Sequence, residues 1–435
     1  CMALLATSMN DASMDAHVNT VLAALQAKIA SNGKSELYSF VLGATARAIG
    51  FRFDERAAVV VPTLLRVCES STEDYDEGAI ANMEAALQAI ENIVSSCPSS
   101  VQDGEQTSTF VSLALKYIAY DPNFDDEGIE DMDAGDEEEE DEYSDYEEYD
   151  DEDEDESWKV RRAAAKLLGS IITTVKEPAL LECYDDIMGK LLVRTRDREP
   201  SVQLDVFSIV ETMIRTVVKL RANDVECQIN LKLRASTTDL IRVAIRETGS
   251  KSPKTQIAAY TLLDSLAKVY PDVLSGILSD EVTSSLMSIV GNCIGDQDGE
   301  SAARMEALSL VSAVCESSNL DAMETFVQAL LPQIFAAMND KYYKIVVHAL
   351  EACASLVRVL RRNETSVVSP ESAAHIKSLL DAVLNKLGSA DEDQEVKEAA
   401  IHACAIILAE LNDHVDAQDQ SRALGLLLER SRNEA

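Results

Sequence analysis

One pattern constrains this chain more than any other: a stripe of apolar residues at helical period that returns along the sequence at nearly regular intervals. In the segment WKVRRAAAKLLGSIITTV, from Trp158, the apolar positions are Val160, Ala163, Ala164, Leu167, Leu168, Ile171, Ile172 and Val175. That order of i, i+3, i+4, i+7, i+8 marks one face of an α-helix. The stripe returns in segments beginning at Val202, Thr255, Ser301, Tyr342 and Gln394. Anchored on the first apolar residue, the copies sit at Val160, Val202, Ile257, Ala303, Ile345 and Val396, with gaps of 42, 55, 46, 42 and 51 residues. Segments from Glu36 and Gly78 read as degenerate copies further upstream. A second amphipathic segment precedes each copy, as in LLECYDDIMGKLLVRTRD from Leu180, so the unit is a helix, a turn and a second helix.

One such pair cannot bury both of its apolar faces, and neighbouring pairs must stack to share a continuous core. The expected fold is therefore all-α: a HEAT/armadillo-type α-solenoid, a right-handed superhelix of antiparallel helix pairs with room for nine or ten units. Composition agrees. Apolar residues are 46% of the chain but aromatics only 5%, and Gly (16) and Pro (9) are sparse, which suits close helix packing rather than a loop-rich sheet protein.

The formal charge of −39 is concentrated in one place. From Asp125 to Glu156, 23 of 32 residues are Asp or Glu and none is Lys or Arg, which leaves −16 for the rest. Taking this run out of the 80 residues between the stripes at Ile80 and Val160 restores an ordinary interval of 48. The expected organisation is therefore repeats over 1–124, an acidic disordered insertion within one repeat over 125–156, and repeats again over 157–435. Such an arm either solvates the loop or steers a basic partner, and Tyr143, Tyr146 and Tyr149 within it are candidate phosphorylation sites. Nucleic-acid binding needs a basic stripe, and none exists. The same balance disfavours an anionic membrane surface, and no apolar run reaches the ~18 residues of a membrane span. Nine scattered cysteines without CxxC spacing read as reduced thiols, which places the protein in the cytoplasm and nucleus. A chain beginning at Cys1 reads as a piece of a longer one.

Catalytic patterns are missing. There is no GxxxxGK loop, GxSxG elbow or HExxH pair, so no cofactor, metal or small-molecule substrate is expected. His402 and Cys404 stand close together, but two residues apart on a helix they point about 200° from one another and cannot share a metal. Lys159, Arg161 and Arg162 directly follow the acidic run. Their bland role is pairing with carboxylates of the adjacent unit; the functional one is presenting charge to a partner. Trp158, the only Trp, is either a packing residue or an interface anchor. Lys219, Arg221, Lys232 and Arg234, in the longest gap, read as a solvated loop.

Several segments carry a resemblance. YDPNFDDE (Tyr120 to Glu127), the acidic run with DEYSDYEE, and SWKVRRAAAKLL (Ser157 to Leu168) are together similar to the cullin-associated, neddylation-dissociated family, as are NDKYYKI (Asn339 to Ile345) and DQEVKEAAI (Asp393 to Ile401). A weaker match runs along nearly the whole chain and places it in the amino-terminal to middle part of that family's superhelix. The resemblance implies a non-enzymatic scaffold that winds around a cullin and its RING subunit. It implies binding of the cullin lacking the ubiquitin-like modifier, and exchange of adaptor–substrate-receptor modules during SCF-type ubiquitin ligase assembly. The candidate partner-contacting residues are Trp158, Lys159, Arg161, Arg162, Tyr343, Lys344, Glu395 and Lys397. The main alternative is a karyopherin-type nuclear transport receptor, also a repeat superhelix. A phosphatase-type scaffold subunit would have more regular repeats and no acidic insertion.

Overall fold

A computed structural model describes residues 5–31, 33–70, 77–101, 104–121, 156–222, 227–277, 280–317, 323–360, 370–389 and 392–433. The expectations about the acidic run and its tyrosines fall on positions 122–155, outside these residues. The described residues contain helices and turns and no strand. They divide into two compact units, Cys1–Lys232 and Leu233–Ala435.

The first unit holds α1 (Asp11–Ala30), α2 (Glu36–Ile49), α3 (Asp54–Ser70), α4 (Glu77–Ser96), α5 (Gly104–Ile118), α6 (Ser157–Thr174), α7 (Glu177–Arg194) and α8 (Pro200–Arg221). The division falls inside α9 (Gln228–Glu247). The second unit holds α10 (Pro253–Val269), α11 (Pro271–Ile277), α12 (Asp280–Gly295), α13 (Ser301–Ser317), α14 (Met323–Ala337), α15 (Tyr343–Leu360), α16 (Pro370–Gly388), α17 (Gln394–Leu411) and α18 (Ala417–Asn433).

The striped segments are the second helices of the pairs, and they stack into a ladder. In the first unit α2 packs on α4, α4 on α6 and α6 on α8; in the second, α10 packs on α13, α13 on α15 and α15 on α17. The leading helices α1, α3, α5 and α7 each pack on the striped helix that follows, as do α12, α14 and α16. Counting α9 with α10 by chain order, eight pairs stand among the described residues.

The stripe predicted in α6 is the core of its layer: Val160, Ala164, Leu167, Leu168, Ile171 and Ile172 are fully buried. Each fully buried aliphatic side chain contributes about 1.5–3 kcal/mol, which is what holds a helix pair to its neighbours. The buried Tyr117 hydroxyl finds a partner in the Cys68 carbonyl, to which it donates at 2.8 Å.

Two buried arginines repeat the same device at the same interval. Arg161 on α6 reaches Asp197, 36 residues on, in the turn before α8; its Nε stands 3.0 Å from Oδ2. Arg304 on α13 reaches Asp340, again 36 residues on, in the turn before α15; its Nη2 donates to Oδ2 at 2.8 Å. Each aspartate also closes its own turn. Asp197 Oδ1 accepts from the Glu199 N–H at 3.0 Å, and Asp340 Oδ1 from the Tyr342 N–H at 2.8 Å. The charge pair thus ties one striped helix to the turn that launches the next.

Burial opposes ionisation of Asp340, but the Tyr342 N–H and the Arg304 guanidinium outweigh it and hold its carboxyl below the ordinary 3.8. A carboxylate with a depressed folded-state pKa stabilises the fold above the unfolded value and loses that contribution as pH falls through the folded one. The stability difference between the native chain and Asp340→Asn is therefore expected to be full above pH 3.8 and to close below it. Urea unfolding followed by circular dichroism across pH 3–6 measures it, and a difference constant over that range contradicts the assignment.

The quartet Lys219, Arg221, Lys232 and Arg234 is not a loop. The first two end α8 and the others lie within α9. Lys232 forms an ion pair with Asp185, and Arg234 with Asp272. The sequence of α9 is polar on its exposed side, and that dilutes the stripe by which a helix is recognised.

Candidate interaction ridges

The exposed edges of the striped helices form a ridge in each unit, and the candidate residues fall at equivalent places on them. Trp158 and Lys159 precede Val160 at the start of α6; Tyr343 and Lys344 precede Ile345 at the start of α15; Glu395 and Lys397 flank Val396 at the start of α17.

In the first unit the ridge crosses α4, α6 and α8. Trp158 is half-buried, with Lys159 Nζ 5.8 Å and the Arg162 guanidinium 5.7 Å from its ring centroid. Arg162 Nε donates to Asp205 on α8 at 2.8 Å, and Lys159 pairs with Glu156. Together with Lys166, Glu84 and Gln88 these residues line a shallow cavity of about 190 Å³. The ridge therefore offers one aromatic face and three cations, of which Arg162 is held by Asp205 on α8 and Lys159 by Glu156 just before α6.

Arg161 does not belong to this surface. Its side chain is 1% exposed and is used internally by Asp197, by the Ser157 hydroxyl at 2.8 Å and by the Tyr120 carbonyl at 3.1 Å. The pairing of this basic segment with the adjacent unit is thus seen twice, buried at Arg161 and half-exposed at Arg162.

In the second unit the ridge carries charges of both signs. A cavity of about 290 Å³ crosses α10, α13, α15 and α17, with Lys268, Ser312, Glu316, Glu351, Ser355 and His402 among its lining. Ser355 donates to Glu316 at 3.1 Å. Tyr343 lies half-buried with its ring edge-on to Tyr342 at 5.6 Å, Lys344 and Glu395 are exposed, and Lys397 is half-buried. Sequence reasoning did not single out Glu316, Glu351 or Ser355. Their signal is polar residues spaced three or four apart opposite an apolar stripe, which every amphipathic helix shows.

Ser309, His348 and Glu351 invite comparison with a hydrolytic triad, and the geometry rejects it. Ser309 Oγ and Glu351 Oε2 both lie 3.3 Å from the same ring nitrogen, Nδ1 of His348. A triad places nucleophile and acid on opposite nitrogens. His402 is exposed while Cys404, two residues on, is fully buried, as the 200° separation requires. Burial pushes Cys68 and Cys353 up to about 12 and Cys404 to about 11, so these thiols stay protonated at neutral pH. Among the described residues no group of three or more His, Cys, Asp or Glu is arranged to hold a metal, and no helix is long and apolar enough to cross a membrane. What these ridges offer chemically is a broad, charged, stepwise contact surface.

Paired helices stacked through their second members, with exposed ridges and a buried charge pair from unit to unit, define a HEAT/armadillo-type repeat protein. Kap121p bound to Pho4p shares this fold at a TM-score of 0.54 and 11% identity, with all of this chain and 38% of that chain covered; Kap121p bound to RanGTP does so at 0.53 and 11%, with 97% and 37% covered. A family model described as "CAND1-like, TPR repeats" matches residues 276–404. Cullin-associated NEDD8-dissociated protein 1 of Arabidopsis thaliana is 33% identical over 440 residues, spanning 100% of this chain and 35% of the relative. The Dictyostelium discoideum protein of the same name is 30% identical (90% and 31%), and Cullin-associated NEDD8-dissociated protein 2 of Mus musculus 31% (90% and 31%). The chain belongs to the cullin-associated NEDD8-dissociated family. It spans about a third of the length of these relatives.

Proposed function

We propose that this chain is a non-enzymatic scaffold that binds a cullin–RING complex lacking its ubiquitin-like modifier and promotes exchange of adaptor–substrate-receptor modules. The observation that carries this reading is 33% identity, along the whole chain, to a protein named for its association with cullins. The ridges support it. A basic, aromatic-centred ridge in one unit and one of mixed charge in the other suit a partner read at many separate points, each weak enough to be released in turn. The eight cysteines among the described residues form no disulfide, which suits work in the cytoplasm and nucleus, where thiols stay reduced.

The test is a pull-down of purified cullin–RING complex, unmodified and neddylated in parallel, on the immobilised chain. Capture of the unmodified form alone is expected. Lys159→Glu combined with Lys166→Glu, both on the ridge surface, is expected to weaken that capture about tenfold and to reduce its salt dependence. Equal capture of both forms removes the modifier-selective reading. Capture of neither, with binding of a GTP-loaded transport GTPase, replaces it with the karyopherin-type one.

A further inference from the structure

The turn between α9 and α10 follows a pattern used elsewhere in the chain, with one change of chemistry. In the turns before α8 and α15, Asp197 and Asp340 each accept the N–H two residues on. Before α10 a serine makes that bond: Ser250 Oγ accepts from the Ser252 N–H at 3.3 Å. Five residues after each of these acceptors stands the first fully buried side chain of the striped helix, Val202, Ile345 and Thr255. In this register Ser252 takes the place of Glu199, and a proline follows both, Pro253 and Pro200. Both residues cap their helices. The Glu199 carboxylate accepts the Ser201 N–H at 3.3 Å and the Ser201 hydroxyl at 2.9 Å, whereas the Ser252 hydroxyl oxygen accepts the Thr255 N–H at 3.4 Å. One helix start thus holds an anion, and the equivalent start holds a neutral serine.

The neutral start is surrounded by groups that suit an anion. Lys251 and Lys254 are exposed on either side of Ser252, and neither forms an ion pair among the described residues. Thr255 is fully buried, and its Oγ1 has no hydrogen-bond partner. Side chains on a helix tilt toward its N-terminus, so this unused hydroxyl, in the first turn, faces back toward Ser252. The Lys254 N–H, like every N–H of a first turn, has no carbonyl within the helix to bond, and the helix dipole is positive there. Ser252 is also presented as a kinase cleft needs it. It is half-exposed between exposed neighbours, and its backbone is extended, with φ −86° and ψ 115°. Proline imposes that shape on the residue before it.

We propose that Ser252 is a phosphorylation site for a proline-directed protein kinase, its phosphate held at the start of α10 by Lys251, Lys254 and the first-turn donors. The phosphoryl group comes from ATP. The Ser252 Oγ–P bond forms, the bond from that phosphorus to ADP breaks, and the hydroxyl proton passes to the base of the kinase. The product carries a charge of about −1.5 to −2 and three acceptor oxygens at neutral pH, so α10 then starts on an anion as α8 does at Glu199. None of this depends on which partner the ridges take.

The test uses the full 435-residue chain carrying Ser369→Ala, which removes the one other Ser–Pro pair in the sequence. A purified cyclin-dependent kinase with radiolabelled ATP is the probe. Uptake approaching one phosphate per chain is expected, mapped to Ser252 by tandem mass spectrometry. Ser252→Ala or Pro253→Ala is expected to reduce that uptake at least about tenfold. The phosphorylated chain is expected to melt about 2–4 °C higher by circular dichroism than the unmodified one. Lys251→Ala combined with Lys254→Ala is expected to remove most of that gain. Both lysines are exposed, so the unmodified double variant should melt as its parent does. No uptake by the folded chain overturns the proposal, whether or not a peptide spanning 246–259 accepts phosphate. So does uptake without a gain in melting temperature, or a gain that survives the loss of both lysines.

Discussion

Replacing Arg161 with Met is expected to destabilise the first unit by about 3–5 kcal/mol, a large share of the 5–15 kcal/mol that holds an ordinary domain folded. The cost arises from what the substitution leaves behind. Asp197 is 1% exposed and Asp121 8%, and without the guanidinium Asp197 loses its closest counter-ion and Asp121 one of its two in a place water does not reach. Arg194, 3.6 Å from Asp197, and Arg198, 2.8 Å from Asp121, soften the loss without replacing it. Arg162→Ala is the control. Its pair with Asp205 is a third exposed on one side and a fifth on the other, and solvent screening limits its cost to under about 1 kcal/mol. Trp158 is the only Trp and sits in the first unit, so its fluorescence during urea unfolding reports that unit alone. A loss below about 1 kcal/mol for Arg161→Met would mean that the buried network is worth no more than a surface pair. Adding Asp197→Leu to Arg161→Met is expected to recover part of the loss, since an apolar pair leaves one fewer buried charge unpaired.

That network shows where reading the sequence stops. The stripe in α6 was legible because its cause is local: eight apolar residues at one helical period, nearly all of them buried. Pairing with the adjacent unit was legible as a class of contact, since a basic segment at a helix start has few other uses. Which arginine goes inward was not. Arg161 and Arg162 are neighbours with the same chemistry, and their fates differ because 100° of helical turn points one at the turn before α8 and the other along the ridge. The same holds for α9, whose stripe is diluted, and for the ridge of the second unit, where Glu316 and Glu351 acquire meaning only once α13 and α15 lie side by side. The 36-residue interval that links Arg161 to Asp197 and Arg304 to Asp340 is visible in the sequence, but only to a reader who already knows that those residues meet.

Backbone proximity is the other quantity hidden from a periodic pattern, and it supplies the second large effect. At Gly43 on α2, a Cβ would stand 2.6 Å from the Ala89 Cα and 3.0 Å from its Cβ on α4. No side chain fits there unless the helices move apart, because the nearer atom is backbone and cannot rotate away. Gly43→Leu is therefore expected to cost about 3 kcal/mol or more, at the upper end for overpacking, and to loosen the α2–α4 contact that begins the ladder of the first unit. Gly43→Ala is the sharper test, since two effects of opposite sign meet in it. Alanine favours a helix over glycine by about 1 kcal/mol, and the clash acts against that gain. At Gly189, exposed on α7, an added Cβ meets nothing within 4 Å, so the same substitution realises the helical gain alone. Thermal unfolding of the two alanine variants is expected to move in opposite directions, Gly189→Ala upward and Gly43→Ala downward. If both move upward by the same amount, α2 and α4 have room to spare, and Gly43 is kept by nothing in their packing.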